Sequence, residues 1–102
     1  MRATLIKIDG LVPEIYTLDN FELAINEPLR ALAKVGLSFD SANVEIKELK
    51  ATGNIAKAAH LRVTPKSYPL AEDFIIIETF GDGTVFDLFK QLEEIGGHLL
   101  WA

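Results

Sequence analysis

The sequence predicts an α+β domain in which a single antiparallel or mixed sheet carries two helices packed on one face. Two observations predict this fold: short alternating or β-branched runs, and two segments in which apolar residues recur every three or four positions. The order of strand, helix, hairpin, strand, helix and strand is compatible with a ferredoxin-like arrangement. The chain has 102 residues, 49% hydrophobic and 25% charged, so we expect one domain over residues 1–102.

The predicted strands are bounded by turn residues. Ala3–Ile8 includes an alternating apolar and polar stretch and ends at an Asp-Gly pair. Phe74–Phe80, with the sequence FIIIETF, holds three consecutive isoleucines, which is typical of a central strand buried on both faces. Residues 98–102, HLLWA, are predicted to form a short C-terminal strand. Residues 11–19 include a proline and are interpreted as an irregular connection.

The first predicted helix spans residues 27–35 and has boundary signals at both ends. Asn26 is the predicted N-cap, and Pro28 stands in the first turn, where its missing N–H breaks no hydrogen bond. Gly36 is well placed as a C-cap residue after the last turn. Residues 21–25 fit either a preceding helical turn or a short strand, and the sequence leaves both open.

The second predicted helix spans residues 85–95 and follows Gly81–Thr84. Its apolar residues fall at helical spacing: Val85, Leu88, Phe89, Leu92 and Ile95. The order of strand, glycine turn and helix is also the order of phosphate-binding loops. Asp82 and Asp87 would repel a phosphate, however, and the turn contains neither lysine nor arginine. The segment is therefore interpreted as a tight turn with Thr84 as the helix N-cap.

Strand and helix patterns compete over residues 43–64. Val44 and Ile46 alternate with charged residues, and Gly53 lies in a turn-forming Thr-Gly-Asn sequence, which favours a hairpin. The many alanines and a serine N-cap favour two helices instead. We favour the hairpin because the segment ends in an extended run just before Pro65.

Residue types that carry out nucleophilic catalysis or bind metals are scarce. The chain has no cysteine, which excludes disulfides, thiolate nucleophiles and zinc–thiolate sites. His60 and His98 are far apart in sequence and lack the close spacing of metal ligands, and there is no Gly-x-Ser-x-Gly motif. We therefore expect no cofactor, no metal and no catalytic residue. A small-molecule site or small enzyme near His60 is the first alternative function.

Apolar runs are too short for a membrane segment. The N-terminal run is broken by Lys7 and is too short for the core of a signal peptide. No uninterrupted apolar stretch approaches the length of a transmembrane helix. We expect no membrane contact and a cytoplasmic location.

Charge is distributed unevenly along the chain. The net charge is −5 and the pI about 4.9, so the protein as a whole repels nucleic acid. Residues 47–66 nevertheless hold five basic residues and one acidic residue, whereas residues 72–94 hold seven acidic residues and one basic residue. An anion or nucleic-acid binder is the second alternative, although residues 47–66 contain no aromatic residue for base stacking. The residues of this candidate patch are Lys47, Lys50, Lys57, His60, Arg62 and Lys66.

The C-terminus is apolar and holds the only tryptophan of the chain. The mean hydropathy of +0.21 is high for a small soluble domain, so we expect part of the apolar surface to face a partner. An apolar terminus is normally packed into a core or against another chain. The candidate interface residues are Leu99, Leu100 and Trp101. The predicted function is a non-enzymatic protein-interaction or accessory domain that acts as a homodimer.

Overall fold

The computed structural model describes residues 2–7, 14–50, 55–67 and 70–80. These residues confirm the mixed α+β class, with a five-stranded sheet and two helices. The elements in chain order are β1 (Arg2–Lys7), β2 (Glu14–Leu18), α1 (Phe21–Asn26), α2 (Pro28–Lys34), β3 (Ala42–Leu49), β4 (Ile55–Pro65) and β5 (Glu72–Thr79). No helix among them is long and apolar enough to cross a membrane.

The sheet has the strand order β2-β1-β5-β4-β3, and every neighbouring pair is antiparallel. The hairpin predicted over residues 43–64 is confirmed, because β3 and β4 pair from Ala42 opposite Pro65 to Leu49 opposite Ala58. The central strand is β5, as its isoleucine run predicts. A ferredoxin-like arrangement is not confirmed. The open edges of the described sheet are β2 and β3.

The prediction of an irregular connection over residues 11–19 is wrong for Glu14–Leu18, which form β2. This short segment contains β-branched and aromatic residues and pairs along its whole length with β1. Its pairing places Tyr16 opposite Leu5 and Ile15 opposite Ile6. The proline that suggested a loop lies before the strand, where it does not interrupt the pairing.

Two short helices meet at Glu27. Residues 21–25 are helical, and α1 is capped by Asn20, whose side-chain Oδ1 accepts a 2.6 Å hydrogen bond from the Leu23 N–H. The prediction of Asn26 as the N-cap of the following helix is wrong, because Asn26 is the last residue of α1 and Glu27 takes that position. The proline at the first position of α2 requires this break, since it cannot continue the hydrogen bonding of α1.

The end of α2 is a Schellman motif, which confirms the predicted role of Gly36. The Gly36 N–H donates to the Ala33 carbonyl at 3.1 Å, and the Leu37 N–H donates to the Leu32 carbonyl at 2.9 Å. Gly36 has a φ of +89°, a backbone conformation that residues with a side chain rarely adopt. Leu32 and Leu37 both belong to the apolar cluster, so the motif turns the chain back over the core.

The core lies between the two helices and one face of the sheet, which we call the helix face. Leu5, Leu61, Phe74 and Ile76 come from the three inner strands and cluster with Leu32 of α2, all of them buried. Burying one such side chain stabilises the fold by about 1.5–3 kcal/mol. The helix face is therefore a substantial source of stability within the part of the chain that the structure describes.

The opposite side of the sheet, which we call the second face, is also buried along its inner strands. Ile6, Ile75 and Ile77 are each at most 2% exposed. This confirms the prediction that the isoleucine run is buried on both faces, because alternate residues of a strand point to opposite sides. The predicted turn at residues 81–84, helix at 85–95 and strand at 98–102 lie outside the described residues.

Candidate interaction surfaces

The basic residues predicted as one patch lie on both faces of the β3–β4 hairpin. Lys57 is on the helix face, where its Nζ donates to Glu22 of α1 at 2.6 Å and lies 5.8 Å from the centre of the Phe21 ring. The hydrogen bond that Lys57 donates to Glu22 raises the pKa of Lys57. Alternate residues of β4 face opposite ways, so His60 and Arg62 are on the second face. Lys57 is thus separated from them by the sheet itself.

The remaining basic residues are spread along the hairpin. Lys47 lies directly opposite His60 in the β3–β4 pair, so these two are neighbours. Lys50 directly follows Leu49, the last residue of β3, whereas Lys66 lies beside the other end of β3, where its N–H donates to the Ser41 carbonyl at 3.0 Å. An eight-residue strand separates them by about 25 Å. The structure therefore brings together Lys47, His60 and Arg62 on the second face and leaves the other three apart.

A polar cluster on the second face joins β4 to β5 through Asp73. The Asp73 Oδ1 accepts a 2.8 Å bond from His60 Nε2 and a 2.9 Å bond from Arg62 Nε. The His60 side chain is 7% exposed, that of Asp73 17% and that of Arg62 34%. A carboxylate only accepts, so the imidazole proton faces Asp73. Both basic side chains are fixed to the same oxygen.

Burial sets the protonation state of His60. Desolvation lowers the pKa of the His60 ring below its ordinary value, and the hydrogen bond that the ring donates to Asp73 opposes that shift only in part. The Asp73 hydrogen bond raises the pKa of Arg62, which stays charged. The cluster at neutral pH is therefore a neutral imidazole, a guanidinium and a carboxylate, with the imidazole turned inward.

The His60 cluster has the parts of a general base but poor access. An imidazole oriented by a carboxylate is the arrangement used to accept a proton from a reacting group. A ring that is 7% exposed offers little surface to a substrate, and its carboxylate is shared with Arg62. Among the described residues, no group of three histidine, aspartate or glutamate side chains could hold a metal ion. The cluster is best suited to holding two strands in register.

Asp73 is the residue that sequence reasoning missed. It was expected only as one of seven acidic residues in the acidic C-terminal third. Its pairing with Arg62 follows from the β4–β5 register, which places these two residues directly opposite each other. The available signal is the opposite charge of two residues, one in the predicted hairpin and one directly before the predicted strand Phe74–Phe80, but nothing in the sequence fixes the register that joins them.

The two open sheet edges expose isoleucines. Ile15 on β2 is 41% exposed, and Ile46 on β3 is 36% exposed. An edge strand presents unpaired backbone N–H and C=O groups that a further strand can bind. Ile46 also lies on the helix face of the edge strand, directly opposite the buried Leu61. Leu70 and Phe80, on either side of β5, are more exposed still.

A groove of about 310 Å³ lies between the end of β2 and the two helices. Leu18, Leu23 and Val35 form part of its apolar wall. The Asp19–Lys34 ion pair, 3.0 Å between Oδ2 and Nζ, lies at the same groove. Both charged side chains are largely exposed, so solvent screens them. The groove lies on the helix side, away from the His60 cluster, and brings no second functional group to that cluster.

The candidate interface residues Leu99, Leu100 and Trp101 lie outside the described residues, so that prediction remains open. No family model, curated protein or solved structure matches the chain. The case for a function therefore depends on the surfaces described above.

Proposed function

We propose that the chain is a non-enzymatic interaction domain that works as a homodimer. The observation that carries the proposal is the open β3 edge, where Ile46 is 36% exposed at the rim of the apolar core. Burying a partly exposed isoleucine is favourable, and none of the described strands pairs with the outer backbone groups beside it, so a second protein chain can bind there. The high mean hydropathy of +0.21 points the same way. The expected compartment is the cytoplasm, with which the absence of cysteine is compatible.

The two alternative functions have weaker support. A small enzyme or small-molecule site at His60 would need a ring that a ligand can reach, whereas this one is 7% exposed and bonded to Asp73. A nucleic-acid surface would need its cations on one face. Lys57 instead pairs with Glu22 on the helix face, and Arg62 pairs with Asp73 on the second face.

Solution mass, measured by size-exclusion chromatography with light scattering at low and high salt, tests the homodimer. We expect twice the chain mass of 11.3 kDa under both conditions, because apolar burial and backbone pairing are not screened by salt. A monomer at every concentration would refute the proposal. Salt-dependent retention of nucleic acid, lost in a K57E/R62E variant, would favour the nucleic-acid alternative instead.

A second contact region is proposed at the C-terminus. Leu99, Leu100 and Trp101 are the predicted residues, and W101A should shift the mass toward monomer without unfolding the chain. Circular dichroism of the same samples separates dissociation from unfolding. A dimer of unchanged mass would remove Trp101 from the interface and leave the β3 edge as the contact.

A further inference from the structure

We propose that two copies of the chain join edge to edge along β3, antiparallel and in the register that places Ile46 on the two-fold axis. This interface rests on the homodimer proposed above and specifies which surface and which residues form it. Two sheets of five described strands would become one continuous sheet of ten. The backbone groups on the outer side of β3 would then pair with their counterparts in the second copy.

Of the two open edges, β3 is better suited to pair with itself. It has eight residues, against five in β2, and most of its side chains are exposed. Charges on an edge strand usually discourage pairing, because a second copy brings the same sign. On β3 the signs alternate along one face, with Glu45 and Lys47 both on the second face. A self-pair can therefore neutralise these charges, which the β2 sequence EIYTL cannot do.

Symmetry leaves few registers to compare. A two-fold axis perpendicular to the sheet reverses the direction of β3 and keeps every side chain on its own face. Residues opposite each other must share a face, so the axis passes through a single residue of β3, which lies opposite its own copy. Centring on Glu45 places two glutamates opposite each other, and centring on Lys47 places two lysines together. Centring on Ile46 places Glu45 of each copy opposite Lys47 of the other. Opposite charges across strands stabilise a pair and like charges destabilise it, which selects Ile46.

The selected register continues a pattern already present in the sheet. Within one copy, Asp73 lies opposite Arg62, and Arg62 lies opposite Glu45. The Glu45 charge contributes to the raised pKa of Arg62, so these groups interact. Across the interface the row would continue to Lys47 of the second copy, with the charge sign alternating at each step. By symmetry the same row forms twice.

The helix face supplies the apolar part of the contact. Ile46 would meet Ile46 of the second copy at the axis, covering the side chain that is 36% exposed in the single chain. Val44 would lie opposite Glu48 of the second copy. Each strand would therefore bury its central apolar residue and match both charges of its second face.

Charge exchange tests the register directly. E45K alone and K47E alone should each raise the dimer dissociation constant by at least about tenfold, because each places like charges together twice. An equimolar mixture of the two variants should form a heterodimer of wild-type strength, since every cross-strand pair is again of opposite charge. The mixture controls for folding, because each variant chain keeps any loss of folding stability that its own substitution causes. A mixture that stays as weak as its components overturns the register.

E14K on the β2 edge is the matched control. It makes the same charge change on an exposed strand residue at the other edge, and it should leave the dimer mass unchanged. A dimer weakened by E14K and not by E45K overturns the proposal in favour of β2. A wild-type monomer overturns the homodimer itself, whereas a wild-type dimer indifferent to E45K overturns only the β3 interface.

A cysteine scan gives a second, independent measurement. The natural chain has no cysteine, so I46C introduces a single thiol. Directly opposed residues of antiparallel strands have Cα atoms about 4.5–5.5 Å apart, within the range that a disulfide spans. Mild oxidation should therefore link I46C chains into covalent dimers. V44C is the control, because its two copies would be about 13 Å apart along the strands. Equal cross-linking of both variants, or none for I46C, overturns the proposed register.

Discussion

Replacing Asp73 with alanine tests whether the His60 cluster holds β4 against β5. The substitution removes the oxygen that accepts bonds from His60 Nε2 at 2.8 Å and Arg62 Nε at 2.9 Å. A hydrogen bond to a charged group contributes about 1.5–3 kcal/mol when it is shielded from water. The His60 bond is so shielded, since its side chain is 7% exposed. Arg62 is more exposed, so solvent screens its bond and the expected loss comes from the His60 bond.

We therefore expect D73A to lower the free energy of unfolding by about 1.5–3 kcal/mol. For a domain of this size that loss corresponds to a Tm lower by about 6–24 °C. Urea denaturation followed by circular dichroism measures the free energy, and a thermal scan measures Tm. E72A is the matched control: the neighbouring glutamate forms a 3.2 Å ion pair with Lys7, and its loss should cost less than about 1 kcal/mol.

A double-mutant cycle isolates the pair. H60A, D73A and the double variant should give a coupling energy of about 1 kcal/mol or more, because the two residues contact each other directly. Coupling below about 0.5 kcal/mol would mean that the residues act independently. A D73A variant as stable as E72A would refute the idea that this cluster holds the two strands together.

Two further predictions concern pH and helix capping. The folded protein lowers the pKa of His60, so between that lowered value and about 6.5 the unfolded chain binds more protons than the folded one. The contribution of His60 to the free energy of unfolding should consequently be complete above about pH 6.5 and decrease as the pH drops below it. Urea titrations at several pH values measure this dependence, and H60Q should flatten it. An identical slope in H60Q would assign the effect to another group. N20A should cost about 1 kcal/mol, because the side chain of Asn20 accepts the Leu23 N–H at 2.6 Å, whereas N26A should cost less than about 0.5 kcal/mol. Equal losses in both variants would show that capping by Asn20 does not stabilise α1.

Elements with local sequence signals are predicted correctly from the sequence. The FIIIETF run predicts a buried central strand because consecutive isoleucines fill both faces at once. Gly36 predicts the end of α2 because glycine adopts a positive φ at little cost. The sequence also favours the β3–β4 hairpin, but less clearly. The alternating residues predict strands there, whereas the alanine content predicts two helices.

Features that depend on strand register and on neighbouring elements follow from the folded structure and not from any local signal. Glu14–Leu18 forms a strand because it pairs with the edge of β1, and no local sequence pattern predicts that pairing. Asp73 joins His60 and Arg62 because the β4–β5 register sets them opposite or diagonal to one another. The basic stretch divides because alternate strand residues face opposite sides, so Lys57 meets Glu22 while Arg62 meets Asp73. Composition gives the number of charges, but backbone pairing decides which of them meet.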